Sequence, residues 1–108
     1  MPLDIGKLDR RVTIEQRTDT RDDFGEPIPA WSTLATVWAG KVSEEGSERF
    51  EGEQRHATRR VVWRIRHRTD VTEAMRILFD GDHYDITAIT EIGRKEGLQI
   101  ETLLEVPQ

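Results

Sequence analysis

The stretch Thr58-Arg59-Arg60-Val61-Val62-Trp63-Arg64-Ile65-Arg66-His67 sets Val61, Trp63 and Ile65 at alternate positions, with Val62, Arg64 and Arg66 between them. Successive side chains of an extended chain point to opposite faces, so this period of two describes a strand with one face in a core and the other in water. C-terminal to it, residues 69–74 read as a connector, after which Met75, Ile77 and Phe79 alternate again. Asp80-Gly81-Asp82 has the composition of a tight hairpin turn, and Tyr84, Ile86 and Ala88 alternate beyond it. A further turn in Gly93-Arg94-Lys95-Glu96-Gly97 leads to a last strand marked by Leu98, Ile100, Thr102, Leu104 and Val106.

On the N-terminal side, residues 10–17 carry Val12 and Ile14 between polar neighbours, a first half-buried strand. Residues 18–29 are rich in Asp, Gly and Pro and predict a long exposed hairpin tip, with regular pairing blocked at Pro27 and Pro29. A second strand follows over 34–42, through Val37, Trp38 and Ala39, and Gly40 allows a bulge or a close backbone approach. Residues 43–57 then lose the strand pattern. Glu44, Glu45, Glu48, Glu51 and Glu53 surround one large apolar residue, Phe50, which predicts a long loop with room for a helical turn.

About six strands joined by turns, without sustained helical periodicity, predict an all-β fold. The expected architecture is a small antiparallel β-barrel with a long loop after the second strand. At 108 residues the chain has room for one domain, expected to span 1–108. Charged residues make up 34% of it, which predicts a soluble, heavily charged exterior. The 16 basic residues are outnumbered by 21 acidic ones, so net charge gives no support to free-standing nucleic-acid binding. Without cysteine there is neither a disulfide framework nor a thiolate metal site, and intracellular synthesis is the expectation. The opening residues lack the pattern of a signal peptide, and no stretch is apolar enough for a membrane span.

Catalytic constellations are not legible. Asp80, Asp82, His83 and Asp85 are chemically suited to hold a hard metal or move protons, but they surround a hairpin turn and lack the ligand order of a calcium loop. His56 and His67 lack zinc-ligand spacing, and there is no phosphate-binding glycine loop or nucleophile elbow. The expectation is a protein that is not an enzyme and needs no cofactor.

Several segments, taken in order, resemble the phage head-tail joining (head-closure) family over nearly the whole chain. They are Leu8-Asp9-Arg10-Arg11-Val12-Thr13-Ile14, Asp23-Phe24-Gly25 with Trp31 after it, Val37-Trp38-Ala39, Ile65-Arg66, and Met75-Arg76-Ile77-Leu78-Phe79-Asp80-Gly81 leading into Tyr84-Asp85-Ile86. Trp63 departs from the pattern, which has a smaller residue there, and the last strand matches by hydrophobic pattern alone. The resemblance implies a virion neck protein, assembled in the host cytoplasm as a ring, commonly dodecameric. Its implied partners are a portal or adaptor protein on the head side, a tail or tail-terminator protein on the other, and packaged DNA held without sequence specificity. It also implies that the loop after the second strand reaches toward the channel, and stopper, adaptor and tail-completion layers all remain open.

Two charged segments are the site candidates. The 43–57 loop, with Glu44, Glu45, Glu48, Arg49, Phe50, Glu51 and Glu53, is the candidate channel loop, although five carboxylates against one guanidinium between 44 and 53 would repel phosphates at close range. Behind it, Arg55, Arg59, Arg60, Arg64, Arg66 and Arg68 run without an acidic residue before Asp70. Arg59, Arg60, Arg64 and Arg66, with Trp31, are the candidate subunit interface, the basic stripe pairing with the acidic loop of a neighbour. A solvated face and direct DNA contact are the other readings of that stripe. The rival function is a small barrel that binds single-stranded nucleic acid, with Arg64 and Arg66 in a groove and Trp63 stacking on bases.

Overall fold

The computed structural model describes residues 3–52 and 54–107, and the side chains at 49–51, 54–56, 106 and 107 lie outside that description. A short 3-10 turn, Ile5–Lys7, is capped by Asp4, whose carboxylate accepts from the Gly6 N–H at 3.1 Å. Eight strands follow: β1 (Arg10–Arg17), β2 (Thr20–Arg21), β3 (Pro27–Ile28), β4 (Trp31–Glu51), β5 (Gln54–Arg66), β6 (Arg76–Phe79), β7 (Asp82–Ile92) and β8 (Gly97–Pro107). Six of them close into an antiparallel barrel in the order β1-β4-β5-β8-β7-β6, with β6 returning to β1 through Thr13↔Leu78 and Ile14↔Ile77. Closure leaves no free sheet edge around the body of the barrel.

The alternation read from residues 58–67 is the alternation observed: Val61, Trp63 and Ile65 are wholly buried. Val12, Ile14, Ala39, Ile77, Tyr84, Ile86, Leu98 and Ile100 complete the core around them. Trp63 is its largest member, meeting Phe79 and Tyr84 edge to face with ring centroids 5.2 and 5.8 Å away. Its indole Nε1–H donates to Thr102 Oγ1 at 3.1 Å, and that hydroxyl donates to the Val61 carbonyl at 2.8 Å. The one polar atom the tryptophan brings inside is therefore satisfied by a residue that is satisfied in turn.

The expected long loop over 43–57 is instead strand on both sides of a turn. β4 runs unbroken through the segment to Glu51, β5 begins at Gln54, and the two pair from Ala39↔Ile65 out to Glu51↔Gln54. β8 follows β5 along the same length, as far as His56↔Pro107. A three-stranded arm thus leaves the barrel, with Val42 as the extra residue of a bulge between Lys41 and Ser43. A straight strand of 21 residues would measure about 70 Å, well beyond the 47 Å longest dimension of the molecule, so β4 must bend on its way from barrel to arm.

Gly40 makes the close approach expected of it, since a Cβ there would lie 2.7 Å from the Lys7 carbonyl oxygen, while the bulge falls two residues later. Residues 18–29 do form an exposed tip, but Pro27 does not prevent pairing: Arg21↔Pro27 and Thr20↔Ile28 make a two-residue ladder. One short ladder tolerates a proline at the start of a strand, where a missing N–H costs least.

Candidate functional site

The base of the arm is a cluster of charges laid directly on the core. Lys41 lies opposite Trp63 in the ladder, and its ammonium sits 5.7 Å from the Trp63 ring centroid and 5.6 Å from that of Phe79. The same ammonium donates to Glu44 Oε2 at 2.9 Å, and Arg59 Nε reaches Glu44 Oε1 at 3.2 Å. The hydrogen bond from Lys41, with the charges of Lys41 and Arg59 beyond it, holds the Glu44 carboxyl below the ordinary carboxylate range. Sequence reasoning missed Lys41. A cation over two aromatic faces is favourable where the core opens to water, and the signal was its register opposite Trp63, which the pairing of β4 with β5 sets and no local pattern shows.

Of the candidate channel residues, Glu44, Glu45 and Glu48 are exposed on the arm. Glu53 lies outside the described residues, as do the side chains of Arg49, Phe50 and Glu51. The acidic and basic segments, read as opposite poles of the chain, turn out to be strand partners: Glu45 stands opposite Arg60 and Gly46 opposite Arg59. Ser47 and Thr58 share a hydroxyl hydrogen bond across the same ladder. A shallow depression beside the arm is lined by Gly46, Glu48, Ala57, Arg59, Asp82 and Leu104.

Arg60, Val62, Arg64 and Arg66 alternate with the core residues of β5 and so occupy its outer face. Arg60 and Arg66 are exposed, whereas Arg64 is half-buried and donates to Gln99 Oε1 through Nε and Nη2 at 3.3 and 3.2 Å. Trp63, proposed as a base-stacking platform in the rival reading, has no exposed surface, which removes that role from it. Trp31 is half-buried at the start of β4 beneath the Arg76 guanidinium, 4.0 Å from its ring centroid. Arg76 Nε also donates to Glu15 Oε1 at 2.7 Å, and His83 Nε2 lies 3.6 Å from the same oxygen.

His83 therefore meets Glu15 and Arg76 on the outer wall of the barrel, where β7, β6 and β1 lie side by side. Among the described residues no group of three or more His, Asp or Glu side chains is placed to hold a metal ion, and no helix is long and apolar enough to cross a membrane. The surface also carries large apolar side chains that the sequence reading left without a role. Phe24, at the tip between β2 and β3, is 92% exposed, Ile5 in the 3-10 turn is 53% exposed, and Trp38 on the barrel wall is 50% exposed.

Residues 3–104 match a model of the phage head completion protein family. The fold is similar to a chain in the virion of a native gene transfer agent particle, with a TM-score of 0.73 and 21% identity over 91% of this chain and 94% of that one. It is also similar to the solution structure of protein SF1141 from Shigella flexneri 2a, with a TM-score of 0.68 and 24% identity over 94% and 96% of the two chains. No curated protein sequence matches significantly.

Proposed function

The chain belongs to the phage head completion protein family and is a structural component of a virion, and from that premise we propose that its copies form a ring at the head-tail junction. The ring closes the DNA-filled head on the portal side and offers a docking surface to the tail on the other. The observation that carries this reading is the three-stranded arm, β4-β5-β8, standing out from a closed barrel. The barrel wall packs against neighbouring copies, and the arm reaches toward the central passage or an adjoining ring. Its register suits a rigid spoke, because every arm residue of β5 from His56 to Arg60 is paired on both sides.

Glu44 is neutralised by Lys41 and Arg59, and the exposed carboxylates of Glu45 and Glu48 are suited to guiding packaged DNA by repulsion, without gripping it. Arg60 and Arg66 remain available to an acidic partner surface, in keeping with inter-subunit pairing. The family is structural, and the protein works without catalysis or a cofactor in this reading.

The test shortens the arm at its own register, joining Glu45 to Arg60 through an Asn-Gly turn, which suits a two-residue hairpin. Particles assembled with this variant are expected to lose packaged DNA or fail to bind tails, while the isolated protein keeps its barrel as judged by near-ultraviolet circular dichroism. Full heads with tails attached in normal number would overturn the role given to the arm.

A further inference from the structure

We propose that Phe24 of one copy inserts into the shallow pocket lined by Ile5, Leu8, Trp38 and Arg66 on a neighbouring copy, a head-to-tail contact between identical chains. The proposal rests on the ring reading above and names the residues by which one copy would engage the next.

The tip is built to present its aromatic ring. The Asp22 carboxylate accepts from the Phe24 and Glu26 N–H groups at 2.9 Å each, and the Gly25 N–H donates to the Asp22 carbonyl at 3.0 Å. Arg21 Nη1 donates to the Gly25 carbonyl at 2.7 Å. A turn fixed by these bonds, and by the Asp22 N–H donating to the Glu26 carbonyl at 3.0 Å, thus holds its largest apolar side chain in water, an arrangement that gains nothing in the isolated chain. A pre-ordered aromatic knob is what a contact between proteins uses as an anchor, because little conformational freedom is left to lose on docking.

The pocket is the tip's complement. Its volume is about 200 Å³, and three of its four lining residues are apolar, Ile5 and Trp38 being half-exposed. Arg66 forms its polar wall, and the Arg11 guanidinium lies 5.2 Å from the Trp38 ring centroid. The acidic residues of the same segment are engaged elsewhere, Asp4 as the cap of the 3-10 turn and Asp9 with Arg10 at 3.2 Å. Around Phe24 stand Asp22, Asp23 and Glu26. An apolar knob among three carboxylates and one guanidinium, Arg21, therefore faces an apolar depression flanked by Arg11 and Arg66, and this net opposition of charge favours the encounter over contact between like surfaces.

Geometry forbids the contact within one chain. The tip departs from the Arg17↔Trp31 end of the β1–β4 ladder, whereas the pocket lies at the Arg10↔Ala39 end. The intervening strand of eight residues spans about 26 Å. A knob at one end and its socket at the other make a heterologous interface, the kind that closes a ring when the rotation between copies permits.

The chain has no cysteine, so introduced thiols report without background. Full-length Asp23→Cys and Ile5→Cys proteins are mixed at high concentration and oxidised. The expected product is a disulfide-linked pair of one of each, formed at least about tenfold less when Phe24→Ser is added to the first chain, as for loss of an interface anchor. The double variant Asp23→Cys/Ile5→Cys is expected to give a ladder of higher species. Absence of the mixed pair, or a yield unaffected by Phe24→Ser, overturns the contact. If sedimentation shows oligomers of the unmodified protein in that case, the ring reading stands and only this interface fails; a protein that neither cross-links nor enters particles takes both down.

Discussion

At the scale of the residue, Trp63 shows how a side chain that departs from a family pattern becomes the centre of a core. Its inward position was legible from alternation with Val61 and Ile65, but its hydrogen bond was not, because Thr102 is 39 residues away on a strand whose register no local pattern fixes. Thr102→Val leaves the indole N–H buried without an acceptor and is expected to cost about 1–3 kcal/mol. A lower denaturant midpoint at unchanged slope would report it. Glu44 gives a smaller and pH-dependent effect. Its carboxyl titrates below the ordinary range in the folded protein, so its ion pairs stabilise at higher pH and are lost as pH falls through the lowered value. Glu44→Gln is expected to flatten the acid side of the stability profile by less than about 1 kcal/mol, because the pair is exposed and salt screens it. Acid titrations of both proteins at low and high salt would measure the difference.

At the scale of the element, hairpins with a buried face were readable and the arm was not. The β6–β7 hairpin declared itself through Met75, Ile77 and Phe79 on one side of Asp80-Gly81 and Tyr84 and Ile86 on the other. Asp80 and Gly81 take φ of 53° and 84°, the pair of positive values that a right-twisted two-residue hairpin requires. Gly81→Val is accordingly expected to cost about 1–3 kcal/mol, read as a fall in the midpoint of thermal unfolding. Beyond Ile86 the alternation fails, because Thr87 is an extra residue in the ladder and shifts the phase so that Ile89, not Ala88, packs on the core. The arm was missed for a deeper reason. Residues 43–48 and 58–60 are held by ladder bonds with much of their surface in water, so no apolar rhythm marks them. Periodicity detects burial, and a strand held mainly by its neighbours' backbones leaves little trace of it.

At the scale of the molecule, the barrel was legible because six strands with one apolar face each can bury those faces together by closing. The distribution of charge was legible only as a list: the acidic and basic segments looked like separate poles until the register set Glu45 against Arg60. With Trp63 sealed in the core and the net charge at -5, oligonucleotide binding by the isolated protein is expected to be weak and to vanish as salt rises. Tight, salt-resistant binding in a filter or fluorescence assay would reverse that expectation. The unbroken run of β4 from barrel wall to arm tip has a mechanical meaning as well. Because the same strand continues through the bulge at Val42, a push on the arm is delivered as torque to the barrel mouth, where Lys41, Glu44 and Arg59 tie the two strands over the core. Pulling along the arm loads the rungs of its ladders together, in shear, so that none can be peeled off first. The protein is thereby constructed as a cantilever whose anchorage is its own hydrophobic centre.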